Sequence, residues 1–198
     1  MLRPQVFKLL RVKLLCSLAL LFSLELALAQ DQLPFVVPAD KQQLPDSALV
    51  ETSKGAFEIQ FLRQEAPVTV ANFEYLARKG FYNNVGFRRH VPGYIIQGGD
   101  PTNSGKGGPG YTLPPEFSTI KHQKGMMGMS RHPNEVNSQR RSNGSQFYIT
   151  LGDAPNLDGF YTLFARVING MENVEKLRPA DKILTIRFPR KLIQNESQ

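Results

Sequence analysis

At 198 residues, with 41 % apolar side chains, the chain is long enough for one domain with a true core. Its single cysteine excludes an intrachain disulfide framework. The 24 basic and 17 acidic residues give a formal net charge of +7, and no array of basic and aromatic residues accompanies it, so nothing points to a nucleic-acid partner.

Residues 1–29 read as a signal peptide. Arg3, Lys8, Arg11 and Lys13 form a positive start, Leu14 to Leu24 form an apolar run, and Ala27-Leu28-Ala29 gives a small-x-small cleavage pattern, placing the cut before Gln30. The run is short for a bilayer span and is followed by Glu25, so an uncleaved membrane anchor is the alternative reading. Cys16 lies inside this leader, so cleavage leaves no thiol and removes four basic residues and one acidic one, lowering the charge from +7 to +4. Residues 30–46 are polar and carry three prolines, which predicts an N-terminal extension. The domain is expected over 47–190, with a tail over 191–198.

Within the domain, Ala48 to Ser53 and Ala56 to Leu62 have strand character and are joined by Lys54-Gly55. Glu65 to Gly80 predicts a helix. Pro67 suits its first turn, Val68, Ala71, Tyr75 and Leu76 follow helical spacing, and Gly80 stops it. Strands are expected at Phe87 to Val91 and Tyr94 to Gly98, then a glycine-rich loop from Thr102 to Gly110. Further strands are expected at Gly125 to Ser130, Gln146 to Leu151, Leu163 to Val167 and Ile183 to Phe188, with a short helix at Met171 to Leu177. Many short strands with glycine and proline punctuation and only two helices predict a mainly β fold, a closed antiparallel barrel.

The segment F-R-R-H-V-P-G-Y-I-I-Q-G-G-D, Phe87 to Asp100, carries the most chemical information. Side chains two apart in a strand share a face, so Phe87 should pair in direction with Arg89, and Ile95 with Gln97. A cation and an amide beside an apolar surface suit an apolar group attached to a polar backbone. The loop Gly105-Lys106-Gly107-Gly108 lacks the spacing of a phosphate-binding loop and reads as a surface loop beside a groove. His90, His122 and His132 have no metal-ligand spacing, and none lies near an obvious nucleophile and carboxylate pair, so no metal is expected. Asp100, Asp153 and Asp158 sit by turns and read as turn stabilisers. Arg131 to Arg141, R-H-P-N-E-V-N-S-Q-R-R, reads as a solvated basic insertion, or else as a rim that selects acidic partners. The sequon Asn143-Gly144-Ser145 abuts a strand and reads as chance.

Several blocks together resemble the cyclophilin family. The Phe87–Asp100 segment is similar to its signature F-H-R-x-x-P-G-F-x-x-Q-G-G-D. N-G-S-Q-F-Y-I, Asn143 to Ile149, resembles N-G-S-Q-F-F-I, and N-L-D-G, Asn156 to Gly159, resembles W-L-D-G. The similarity runs in the family's order over roughly Ala48 to Phe188. It implies an eight-stranded barrel capped by two α-helices and peptidyl-prolyl cis–trans isomerase activity without a cofactor. By resemblance, Arg89 and Gln97 are catalytic. Tyr94, Ile95, Arg131, Gln146, Tyr148, Leu157 and Tyr161 bind substrate, which would be a proline-containing flexible polypeptide.

Several positions depart from the pattern. Tyr94 and Tyr148 stand where the family commonly has Phe, Ile95 where it has Met, and Tyr161 where it has a pocket His. Asn156 replaces an aromatic residue that the resemblance links to the drug cyclosporin, so weak cyclosporin binding is expected. Each tyrosine adds a hydroxyl that needs a partner. The long basic insertion and missing tryptophan resemble bacterial members, which makes the periplasm the expected compartment. Thylakoid lumen and extracellular space are the alternatives. A monomer without nucleic-acid or, once cleaved, membrane contact is expected. The rival reading is a non-catalytic proline-peptide-binding or chaperone module on the same barrel.

Overall fold

The computed structural model describes residues 33–189. The expected leader over 1–29, its cleavage site and the tail over 191–198 lie outside the described residues. Ten strands form in chain order: β1 Ser47–Thr52, β2 Gly55–Phe61, β3 Phe87–Val91, β4 Ile95–Gly98, β5 Thr112–Leu113, β6 Met126–Met129, β7 Ser142–Asn143, β8 Phe147–Thr150, β9 Leu163–Asn169 and β10 Ile183–Arg187. The helices among the described residues are α1, Pro67–Arg78, and α2, Met171–Lys176, with 3₁₀ turns at Lys41–Gln43 and Pro155–Leu157. The two short strands β5 and β7 and both 3₁₀ turns escape sequence pattern, being too short to show a period.

Eight strands form one antiparallel sheet in the order β10-β1-β2-β9-β6-β8-β4-β3, and β5 pairs with β7 separately. The sheet curls until its edges meet beside β3 and β10. They are joined by a single Gly86–Lys182 bridge and by backbone bonds from Asn84 to Ile183, Ile183 to Val85 and Phe87 to Asp181, all 2.8–2.9 Å. The expected closed barrel is therefore a curled sheet with a short seam. The physical reason is length: β10 spends its ladder on β1, and only residues 84–87 face it from the other edge.

The β1–β2 turn is Ser53-Lys54, one residue earlier than expected, because Thr52 pairs with Gly55. Helix α1 is shorter than the sequence predicts. No side chain of its own caps it. The Glu116 carboxylate instead accepts the Val68 and Thr69 backbone N–H groups at 2.9 and 2.8 Å, placing a negative group at the positive helix end. It ends with Gly80 bonding Ala77 and Phe81 bonding Leu76, a paired set of carbonyl contacts that satisfies the last turn. Its buried face is Thr69, Val70, Ala71, Asn72, Phe73, Leu76 and Ala77, so Val68 and Tyr75 lie at the margin rather than at the centre. Two of those buried residues are polar and tied to loops: Thr69 Oγ1 donates to Glu116, and Asn72 Nδ2 donates to Gly144 O at 2.7 Å.

Phe73 carries this face into the core, where its ring centroid lies 5.0 Å from that of Tyr82, 5.3 Å from Phe164 and 6.0 Å from Phe147. Burying one such ring contributes on the order of 1.5–3 kcal/mol. The expected N-terminal extension is partly folded. From Phe35 onward it belongs to the compact unit, with Leu44 buried and Phe35 against Tyr75 at 5.7 Å.

Candidate functional site

The β3–β4 hairpin sets the site. Tyr94 N–H donates to Val91 O at 3.0 Å across Pro92-Gly93, and Gly93 has φ 70, the left-handed geometry that this position of the turn demands. A bulge between Phe87 and Arg89 alters the expected facing. Phe87 pairs with Gly98 and Arg89 with Gln97, and those two partners are neighbours on β4, so they point to opposite faces. Phe87 therefore enters the core, and Arg89 shares the outer face with Gln97 and Ile95. The expected Phe87–Arg89 face is corrected by this one extra residue, which alternation alone does not reveal.

A cleft of about 210 Å³ opens on that face. Arg89 comes from β3, Tyr94, Ile95 and Gln97 from the turn and β4, and Tyr148 from β8. Ser130 and Arg131 follow β6, Leu157 ends the second 3₁₀ turn, and Tyr161 precedes β9. Eight of the nine candidate residues therefore meet at one cleft, together with Ser130, for which no role was foreseen. The Arg89 side chain is exposed and has no hydrogen-bond or ion-pair partner among the described residues.

Gln146 is the ninth, and it does not line the cleft. It is buried, and its Nε2 donates to Gly105 O at 3.1 Å and Gly107 O at 2.8 Å. Its Oε1 accepts from Gln97 Nε2 at 3.3 Å. It thus stands behind Gln97 and ties the β4 amide to the glycine-rich loop. Asp100 secures the far side of that loop. Burial pushes the Asp100 carboxyl up, but hydrogen bonds from Thr102, Gly105 and Gly107 outweigh it and hold the carboxyl below its ordinary value. Asn143, the first residue of the sequon, spends its side chain on the Ser145 and Gln146 N–H groups, each at 2.9 Å, and on Gly107 O.

The two added tyrosine hydroxyls both find partners. Tyr94 OH accepts from Asn156 Nδ2 at 2.9 Å, so the residue standing in place of an aromatic wall serves the tyrosine instead. Tyr148 OH lies 2.8 Å from His122 Nε2, and His122 Nδ1 lies 2.9 Å from Asp158 Oδ1, which also accepts the His122 backbone N–H at 2.8 Å. Asp158 therefore does more than stabilise a turn, and His122 stands between a carboxylate and a hydroxyl brought together by folding. Burial holds the His122 imidazole below its ordinary value despite the opposing pull of Asp158. Hydrogen bonds from the His122 backbone and ring hold the Asp158 carboxyl low, and burial pushes the Tyr148 phenol well above its ordinary range. A neutral imidazole with its proton on Nδ1 donates to Asp158 and accepts from Tyr148.

Space for this ring comes from Gly128, which pairs with Tyr148 across the β6–β8 ladder. A Cβ there would lie 2.3 Å from the Tyr148 hydroxyl. The arrangement offers an apolar cleft with a free guanidinium at one side and a fixed amide beside it. It holds no activated nucleophile, because the Tyr148 hydroxyl is buried and already bonded. A larger cavity of about 390 Å³ beside Gln43, α1 and Phe188 lacks this chemistry. Its charged walls are already paired, Arg78 with Glu74 at 2.8 Å and Asp46 with Arg63 at 2.6 Å.

Comparison with known proteins points one way. Residues 48–190 match the family described as cyclophilin type peptidyl-prolyl cis-trans isomerase/CLD. The chain is 39 % identical over 143 residues to a peptidyl-prolyl cis-trans isomerase of Synechococcus elongatus, covering 71 % of this chain and 94 % of that one. It is 41 % identical over 138 residues to the isomerase CYP18-2 of Arabidopsis thaliana, covering 67 % and 80 %. A crystal structure of a Cryptosporidium parvum cyclophilin type isomerase aligns with TM-score 0.67 at 28 % identity, over 74 % of this chain and 98 % of that one. The same relative was crystallised in the presence of the dipeptide Ala-Pro, and that structure aligns with TM-score 0.66 at 29 % identity, over 73 % and 99 %.

Proposed function

The chain belongs to the cyclophilin-type peptidyl-prolyl cis–trans isomerases, and from that premise we propose that it rotates X-Pro bonds of exported polypeptides in the cleft around Arg89. The observation that carries this assignment is an unpaired guanidinium facing a fixed amide and an apolar pocket on one strand face.

The chemistry asks for little more. Cis and trans X-Pro bonds differ by about 0.5–1 kcal/mol, but about 18–20 kcal/mol separates them. No bond breaks, so no nucleophile, metal or redox group takes part. The barrier is the loss of amide resonance, and in the twisted state the imide nitrogen regains a lone pair. Arg89 donates an N–H to that lone pair. A guanidinium is a cation with a rigid fork of donors. This bond is absent from the planar ground state, so it lowers the barrier rather than merely tightening binding.

The proline ring fills the cleft against Ile95, Tyr148, Leu157 and Tyr161, with Tyr94 at its edge. Gln97 holds the carbonyl of the rotating bond, and Gln146 keeps that amide from swinging. The Arg131 backbone pairs with the peptide. The Ala-Pro dipeptide used with the Cryptosporidium relative supports a proline peptide as occupant. The leader pattern at 1–29 supports export, with the periplasm as destination. Mass spectrometry of the exported protein should give a chain starting at Gln30; a membrane-bound chain with residue 1 intact would favour the uncleaved anchor, and a chain found only in the cytoplasm would sink the export reading. Asn156 offers cyclosporin no aromatic wall, so weak inhibition follows; submicromolar inhibition would contradict it.

The test of function is cis–trans exchange on an Ala-Pro peptide, measured by NMR with the protein from Gln30 onward and its Arg89→Ala variant. A loss of about 10²–10³ in rate is expected, the scale for removing one donor used only in the transition state. Equal rates in the two proteins would remove Arg89 from the mechanism. Peptide binding without acceleration by either would favour a non-catalytic module.

A further inference from the structure

Beside the proline cleft, the insertion over residues 131–141 builds a second feature. Arg131 lines the cleft. Its Nε donates to Phe160 O at 3.0 Å, and one terminal nitrogen donates to His132 O at 3.1 Å and Asn134 Oδ1 at 2.8 Å. Its guanidinium lies 4.7 Å from the Tyr161 ring centroid. All of these partners are neutral, so they orient the cation without cancelling its charge. Arg140 lies over the ring of Phe160 at 5.8 Å, and Phe160 itself is 48 % exposed.

Neither arginine pairs with a carboxylate among the described residues. Several basic side chains elsewhere on the domain do. Lys54 pairs with Asp181, Arg63 with Asp46, Arg78 with Glu74 and Arg187 with Glu51, at 2.6–3.6 Å. Glu135, the one acidic residue in the insertion, pairs with neither arginine.

The loop is also held in shape. Asn137 Nδ2 donates to Arg141 O at 2.8 Å, the Arg141 N–H returns a bond to Asn137 Oδ1 at 3.0 Å, and the Arg140 N–H bonds Asn137 O at 2.9 Å. Arg140 sits at φ 54, where a non-glycine residue costs about 1–3 kcal/mol, and the Asn137 bonds keep it there. The insertion is thus more than a solvated loop. It presents two oriented and uncompensated guanidinium groups beside an aromatic surface.

We propose that Arg131 and Arg140, backed by Tyr161 and Phe160, form a subsite for a carboxylate side chain flanking the proline of the polypeptide substrate. The Arg131 bonds use its Nε and one terminal nitrogen and leave the other terminal nitrogen to donate, while Arg140, held by stacking on Phe160, keeps N–H edges that match a carboxylate geometrically. The subsite deepens the isomerase reading and rests on it, because the acidic side chain is delivered by the same peptide whose proline fills the cleft. Exposed pairs are individually weak, so the preference is about three- to tenfold in kcat/KM.

The test uses the chain from Gln30 and alanine-based peptides with one proline, carrying Glu, Gln or Lys in turn at each of the two positions on either side of it. Exchange is followed at low and at physiological salt. Glu should exceed Gln by that factor at one flanking position at least, Lys should fall below Gln there, and added salt should shrink the gap. Arg140→Gln should erase most of the Glu advantage and leave Gln-peptide turnover unchanged. Equal turnover of Glu and Gln peptides at every position at low salt overturns the subsite, as does a Glu advantage that survives Arg140→Gln. Failure to accelerate even the Gln peptides overturns the isomerase reading itself, so the two failures are told apart.

Discussion

The floor of the cleft and its rim are built by opposite means. On the floor, the buried polar groups answer one another: Tyr148 is met by His122, His122 by Asp158, Gln97 by Gln146, and Gln146 by two loop carbonyls. On the rim, Arg89, Arg131 and Arg140 have aromatic or neutral neighbours and no carboxylate among the described residues. Buried polar groups must be satisfied within the protein, because an unanswered one costs on the order of 1–3 kcal/mol. Arg89 is exposed and Arg131 and Arg140 are half-buried, so these cations keep contact with water, escape most of that cost and remain available to a ligand. The floor therefore defines a rigid shape, and the rim holds charge in reserve for substrate.

The contrast breaks most severely at Gly128. Gly128→Ala pushes a Cβ into the locked Tyr148 hydroxyl, which has no free direction in which to move. Overpacking of this kind should cost about 3 kcal/mol, read as a lower urea midpoint, with turnover falling as the cleft wall shifts. Unchanged stability would mean that the floor is softer than its hydrogen bonds imply.

Cutting the floor network from the other end should cost less. His122→Leu strands the Tyr148 hydroxyl and should lose about 1–2 kcal/mol. Adding Tyr148→Phe removes the stranded group and should restore part of that loss. Additive losses in the double variant would show that the two side chains are not coupled.

Acidification gives a smaller effect of definite sign. The folded His122 imidazole titrates below its unfolded value, near 6.5, so the unfolded state binds more protons as pH falls through that point. Stability should decline as pH falls below about 7. Asp158 is also lowered, so its contribution is present above about pH 4 and is lost as pH falls further. Thermal unfolding of the native chain and His122→Gln at several pH values should show a larger upper step in the native chain, the part left in the variant coming from His90, which burial and Arg178 also hold low. The same step in both would assign it elsewhere.

Much of the framework was legible in the sequence, and the exceptions have physical causes. The Pro-Gly turn and the alternation of Ile95 and Gln97 predicted the hairpin and one shared face. The bulge at Phe87 did not show, because one inserted residue leaves composition unchanged while reversing a face. The eight cleft residues came through blocks of sequence read by resemblance. The His122–Asp158–Tyr148 chain did not, since its members come from a loop, a turn and β8 and meet only in the folded protein. One clue was available: a tyrosine in place of phenylalanine at a buried position requires a hydroxyl partner, and a buried histidine is a ready one. The order of the 131–141 insertion was hidden because its polar composition matches that of a solvated loop, while its shape rests on Asn137 contacts.

The most direct measurement is Arg89→Lys, with exchange and binding followed on one neutral Ala-Pro peptide by NMR. Lysine keeps the charge but loses the rigid fork. The exchange rate should fall by at least tenfold while the peptide dissociation constant stays within about twofold, because the lost bond exists only in the twisted state. An unchanged exchange rate, or a fall matched by equally weakened binding, would contradict the role assigned to the Arg89 guanidinium.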